Sequence, residues 1–246
     1  MYERHSTLFE PRENYIIWQY MSFAKFVNLL LGDMYFRRID SFEDVFEGKW
    51  PDLNKKYIDH IKTTEGQVIG SFDDMARKMT YVSCFHKADS ETAFMWKQYS
   101  NNDGIAIRTT IERLKHSFDK TDNPIYISEV KYIDYVKEHI SDMSNMFVLS
   151  IHKRKSFQYE NEIRCISLLN DLHDEEGYNK KYFKENRIDF EKFPLGIKIP
   201  IDLYELIEKI YISPYAEDYL REDVEACLNV IGLKVDVIKS KLYEIT

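Results

Sequence analysis

Up to Ile39 the chain reads as strand, helix, strand, and this succession does most to limit what it can fold into. Tyr15-Ile-Ile-Trp-Gln-Tyr20 is aromatic and β-branched, the composition of a strand, and it stops at Ser22, a residue suited to cap a helix. Phe23, Phe26, Val27, Leu30 and Leu31 then recur at helical spacing and Gly32 supplies the stop, which predicts an amphipathic helix over 23–31 packed on a sheet. Met34-Tyr-Phe-Arg-Arg-Ile39 returns as a second strand. Further strands are expected at 81–85, 104–108, 125–132, 163–169, 195–199, 209–212 and 234–238, with a helix carrying Phe94, Met95, Trp96 and Tyr99 capped by Ser90. The order neither repeats at a fixed period nor alternates strictly as β-α-β. It predicts an α+β fold with a mixed, mainly antiparallel sheet and packed helices. No stretch rich in Gly, Ser or Pro divides the chain, so residues 1–246 read as a single domain with insertions near 48–80 and 170–192.

Composition removes several function classes. Aromatic residues make up 15% of the chain, including 18 Tyr and 15 Phe, enough for a sizeable core. A net charge of -8 repels phosphate backbones and anionic membranes, which argues against a broad nucleic-acid binder and leaves room only for a local basic pocket. Cys84, Cys165 and Cys227 stand far apart among apolar neighbours and read as buried thiols of a reducing compartment, and no Cys or His pair has zinc-ligand spacing. The N-terminus is charged, and its most apolar stretch is broken by Lys25 and Asn28, so the expected location is the cytoplasm, with no membrane contact. P-loop, G-x-G-x-x-G, G-x-S-x-G and H-E-x-x-H patterns do not occur.

The segment Lys155-Ser-Phe-Gln-Tyr-Glu-Asn-Glu-Ile-Arg164 is the foremost chemical candidate. If it is extended, Glu160, Glu162 and Arg164 project from one face and line a polar cleft. The plainer alternative is a solvated strand end, or a helical turn with a Glu160–Arg164 ion pair worth about 0.2–0.5 kcal/mol. Upstream, His152-Lys-Arg-Lys155 could hold a phosphate, or it could simply be solvated at a helix end. Trp96 and Tyr99 suit either a core or a stacking surface for a ring. Glu43, Asp44 and Glu47, with Glu160 and Glu162, would suit a magnesium-dependent nuclease, which the net charge disfavours; no metal is expected.

Five motifs in order, Trp18-Gln-Tyr-Met-Ser22, Met34 through Glu47, Val82-Ser-Cys-Phe85 with Met95-Trp96 and Tyr99, Lys155 through Arg164, and Ile210-Tyr-Ile-Ser-Pro214, resemble those of a widespread bacterial family, domain of unknown function 2971. More remotely, the strand-helix-strand opening with Tyr35-Phe36 and a late strand bearing a Glu is similar to the ADP-ribosyltransferase superfold. That resemblance implies an NAD-consuming transferase or glycohydrolase, with a role as a toxin or in phage defence. NAD would be the substrate, and a protein or nucleic acid the acceptor. Glu162, or Glu160, would be the catalytic carboxylate, with Gln19 and Tyr35 (or Ser83) around the nicotinamide ribose. Tyr20, Trp96 and Tyr99 would cover rings, and Arg37, Lys155 and Arg164 would hold the pyrophosphate. The sequence departs from the wider fold in carrying Gln19 where many relatives have His or Arg, so a nucleotide-binding or protein-interaction module without turnover is the second expectation.

Overall fold

The protein was analysed as a computed structural model. It describes residues 1–65, 75–99, 102–143, 145–169, 173–174, 177–178, 180–184 and 187–244. The described chain runs β1 (Tyr2–Glu3), β2 (Ile16–Ser22), α1 (Phe23–Leu29), β3 (Asp33–Arg38), α2 (Asp52–Glu65), β4 (Thr80–Lys87), α3 (Ala93–Tyr99), β5 (Gly104–Thr110), α4 (Ile111–Ser117), β6 (Ile125–Glu129), β7 (Lys131–Ile133), β8 (His152–Arg154) and β9 (Glu162–Leu168). After two short hairpins between residues 173 and 188 it continues through β10 (Gly196–Pro200), α5 (Leu203–Leu206), β11 (Lys209–Ile212), α6 (Tyr219–Ile231) and β12 (Asp236–Lys239).

These elements form an α+β fold. The main sheet has the order β1-β6-β9-β4-β2-β5-β11-β12, with β3 and β10 attached beside β4, and its pairings are antiparallel except β1 with β6 and β11 with β12. Ile17, Phe26, Phe36, Phe85, Ile107 and Ile163 are buried in its principal core. Alternation in β3 puts Met34 and Phe36 inside while Tyr35 and Arg37 face out. The predicted opening is present: Ser22 precedes α1, although its side chain makes no capping bond, and Gly32 adopts φ +94° just beyond the helix.

The structure differs from the expected strand and cap positions in two places and adds detail to the two stretches read as insertions. The strand read over 125–132 breaks at Val130, whose amide bonds instead to the Glu162 carbonyl at 3.0 Å. Helix α3 begins at Ala93, so Ser90 lies too early to cap it. The 48–80 stretch builds a small core of its own, in which Trp50 and Ile58 pack with Tyr135, Ile140 and Val148, and Asn54 exchanges two 2.8 Å hydrogen bonds with the backbone of Ile140; residues 66–74 lie outside the described ones. The stretch over 170–192 is only partly described, and within it Tyr182 is buried edge-on against Phe193 rather than standing at the surface. Cys165 is buried as expected, whereas Cys84 and Cys227 are half-buried. Among the described residues no helix is long and apolar enough to cross a membrane.

Candidate active site

The sheet opens where β2 and β3 both approach β4. On one side β4 pairs with β9 from Thr80 to His86. On the other, β3 takes Tyr81 and Val82 and β2 takes His86 and Lys87, so the two strands separate across Ser83–Phe85. Backbone groups in such a gap need other partners. Gln19 supplies one: its Nε2 donates to Ser83 Oγ at 3.0 Å and to the Cys84 carbonyl at 3.4 Å. Its amide therefore braces the split as well as lining the cleft formed there.

That cleft has two adjoining lobes, of about 360 and 700 Å³, which share Tyr20, Lys25, Arg37, Phe42 and Cys84. Glu47, Lys153, Glu160 and Glu162 line the first lobe, with Tyr99 and Phe157 beside them. Gln19, Tyr35, Ser83 and Lys198 line the second. Gln19 and Tyr35 thus line one lobe and Glu162 the adjoining one.

Glu160 reaches the first lobe by a different route from the one expected. Residues Lys155–Glu160 form a 3₁₀ helix, and Asn161 follows with φ +39°, a left-handed conformation that Asn tolerates better than most residues. Asn161 is secured there by Lys87, whose amide donates to the Asn161 carbonyl at 2.9 Å while the Asn161 side chain donates back at 2.5 Å. The turn brings the Glu160 carboxylate beside Glu162 at the start of β9, where extended alternation would also have placed it.

Glu47, Lys153, Glu160, Glu162 and Arg164 form a buried charge cluster. Arg164, with no exposed side-chain surface, donates to both oxygens of Glu47 at 3.0 and 3.1 Å, to Glu162 Oε2 at 2.9 Å and to the Ser150 carbonyl at 2.8 Å. Lys153 Nζ lies 2.5 Å from Glu160, 3.1 Å from Glu47 and 3.6 Å from Glu162. Three carboxylates against two cations leave one excess negative charge. The two candidate carboxylates respond in opposite directions. Burial pushes Glu162 up, but Arg164 and Lys153 together outweigh it and hold the group far below the usual carboxylate range. Burial pushes Glu160 up as well, and the nearby Glu162 charge adds to that push; Lys153 and the Tyr99 hydroxyl, which donates at 3.1 Å, only partly offset them. A pair of carboxyls driven apart in this way divides naturally into a fixed charge and a proton carrier.

Neighbouring groups are fixed too. His86 Nδ1 donates to the Glu160 carbonyl at 2.6 Å, so its Nε2 accepts from Thr92 Oγ1 at 3.0 Å, and burial lowers its pKa and keeps the ring neutral. Sequence reasoning grouped Glu47 with Glu160 and Glu162 only as magnesium ligands, and it missed Lys153 and His86 as members of the site. The acidic run Glu43-Asp-Val-Phe-Glu47 and the basic run from His152 were the available signals, read separately when they answer each other across the fold.

Other expected residues have different duties. Trp96 is buried with Trp18, Tyr20 and Met95, so it is core and offers no stacking face. Arg164 is enclosed by its carboxylates and cannot hold a pyrophosphate. The His152–Lys155 run is a strand leading into a 3₁₀ helix rather than a helix end, and its cations disperse: Lys153 enters the cluster, Arg154 pairs with Asp44 at 2.7 Å, and Lys155 pairs with Glu138 at 2.9 Å, away from the residues lining the cleft. Of the carboxylates considered for magnesium, Asp44 is paired with Arg154 and Glu47 with Arg164. Tyr35 is 54% exposed, and its outer ring lies where a Cβ on Gly196 would stand. Arg37 donates to Ser41 and stays exposed at the junction of the lobes.

Residues 95–165 match the model of a family described as a protein of unknown function, DUF2971. The match runs from α3 into β9 and contains four members of the charge cluster, Lys153, Glu160, Glu162 and Arg164. A comparison with curated proteins gives no match. Among solved structures, DarT of Thermus sp. 2.9 in complex with carba-NAD+ is similar at 9% identity, covering 94% of this chain and 98% of that one, with a TM-score of 0.41.

Proposed function

We propose that the protein consumes NAD, as an ADP-ribosyltransferase or NAD glycohydrolase, in the setting of a toxin or phage-defence effector. The observation that carries this reading is the separation of charge along the cleft. In the first lobe lie the buried carboxylates with their one excess negative charge. Around the second stands the exposed cation Lys198, and at the junction with the first stand the exposed cations Lys25 and Arg37, with Asp33 as the carboxylate among them. A dinucleotide with a cationic nicotinamide at one end and a pyrophosphate at its middle has the matching distribution.

In the reaction so assigned, the bond from ribose C1′ to the pyridinium nitrogen breaks, its electron pair neutralises the ring, and nicotinamide leaves. Positive charge accumulates on the ribose, and Glu162, already ionised and held by Arg164, stabilises it without reorganising. The acceptor or water supplies an electron pair to C1′ and passes its proton to Glu160, the carboxylate with the higher proton affinity. Tyr35 and Tyr99, both exposed, offer faces for rings at the cleft walls, whereas Tyr20 is packed with Trp96. The test follows nicotinamide release from NAD with and without protein or oligonucleotide acceptors. Glu162→Gln should lower release by about 10²–10³-fold, the range for losing one preorganised electrostatic contact; activity unchanged in this variant would remove Glu162 from its role.

A second reading, a nucleotide-binding module without turnover, is favoured by the occupancy of Glu162, which accepts from Arg164 and from the Cys84 thiol. Calorimetry with NAD and ADP-ribose separates the two readings: binding without nicotinamide release identifies the module.

A further inference from the structure

We infer that the buried cluster, with Glu47 as its third carboxylate, makes the cleft select the oxidised, cationic form of the dinucleotide over the reduced, neutral form. This rests on the NAD reading of the cleft. Glu47 is 3% exposed and reaches the lobe from the loop after β3, where Gly48 at φ +67° turns the chain. Both its oxygens are taken by the Arg164 fork at 3.0 and 3.1 Å, and Oε1 also meets Lys153 at 3.1 Å. Without Glu47 the two cations would balance Glu160 and Glu162, and the cluster would be neutral. With it, one negative charge remains in a buried cluster where screening by water and salt is weak.

Oxidised and reduced nicotinamide dinucleotides share their ribose, pyrophosphate and adenine and differ at the ring by one positive charge. The second lobe, with Lys198, and the junction, with Lys25 and Arg37, therefore meet the shared parts of both forms alike, and discrimination falls to the buried cluster. Glu43, the Asp44–Arg154 pair and the shared cations Lys25 and Arg37 also border the first lobe, and none is altered in the comparison below. Glu47 acts through the field of the cluster and through the placement of Arg164 behind Glu162, which makes it a positioning and specificity residue.

The experiment measures, by calorimetry at pH 7.5, the affinity for a carbocyclic NAD whose C1′–N bond cannot be cleaved and for its dihydronicotinamide counterpart. The unaltered protein should prefer the oxidised form by at least about tenfold, well within what one unit charge contributes at close range in a partly buried site. In Glu47→Gln, which keeps the shape and removes the charge, the preference should fall to within about threefold of unity, with affinity for the reduced form held. Glu47→Asp should retain a clear preference. Glu160→Gln removes one charge from the same cluster at a position reached through the 3₁₀ helix; it should show the same collapse and keeps the test available if Glu47→Gln does not fold. A preference that persists in the neutralised variants overturns this inference and leaves the NAD reading standing. Failure of the unaltered protein to bind either ligand overturns both.

Discussion

Arg164→Met would test the physical basis of the site most directly. The substitution keeps a long apolar stem and removes a guanidinium that touches Glu47 and Glu162 at 2.9–3.1 Å. At such distances each unit-charge contact is worth about 5–6 kcal/mol with an effective dielectric of 20, but burial of the Arg has its own cost, and breaking one side of a buried pair typically destabilises by about 3–5 kcal/mol. The loss should also depend on pH in a defined direction. In the native protein Glu162 has a folded pKa below its unfolded value, so its contribution is fully present above the unfolded pKa and is lost as pH falls through the folded one. Without Arg164 the burial of Glu162 dominates and reverses its shift. Proton uptake then limits the penalty to about 1.4 kcal/mol per pH unit above the reference value of 4.5. Urea denaturation followed by tryptophan fluorescence should therefore show a loss of about 3–5 kcal/mol at pH 7, a midpoint shift of about 1–2 M. The loss should shrink by about 2–3 kcal/mol at pH 5. A loss below about 1 kcal/mol, the size of an exposed ion pair, or one that is the same at both pH values, would refute the reasoning.

Two more perturbations follow from the same geometry. Gln19→Leu removes the donor that serves Ser83 Oγ and the Cys84 carbonyl in the split; it should cost about 1–3 kcal/mol, a fall of about 2–10 °C in Tm, and a melting curve unchanged within a degree would show that the split needs no brace. Tyr99→Phe removes a hydrogen bond that favours ionised Glu160 and so raises that carboxyl further; if Glu160 accepts the proton, the acid limb of nicotinamide release should move to higher pH, and a limb that stays in place or moves lower would assign the base elsewhere.

Most strands were legible because their apolar and aromatic runs are local. β11 occupies the residues read from the sequence, and β2, β3, β4, β5, β9 and β10 are displaced by only a residue or two at their ends. Glu160, Glu162 and Arg164 could be picked out for a similar reason, since charges in a row of otherwise buried positions need an explanation. What stayed hidden depends on contacts across the fold. Nothing near Arg164 in sequence shows that Glu47, on a loop after β3, will meet its fork. The basic run His152-Lys-Arg-Lys155 looks uniform, yet strand geometry and the following 3₁₀ turn send Lys153 inward and Arg154 and Lys155 to separate partners.

The same contrast explains the position of Gln19. As a departure from His or Arg, it suggested a nucleotide-binding module without turnover. In the fold its amide occupies a place that backbone pairing would otherwise fill, because β2 and β3 leave β4 at different residues. A His could not donate from one terminal group to both Ser83 Oγ and the Cys84 carbonyl. The residue that departs from His or Arg therefore serves the opening in the sheet, by bonding to Ser83 and Cys84 where neither β2 nor β3 pairs with β4.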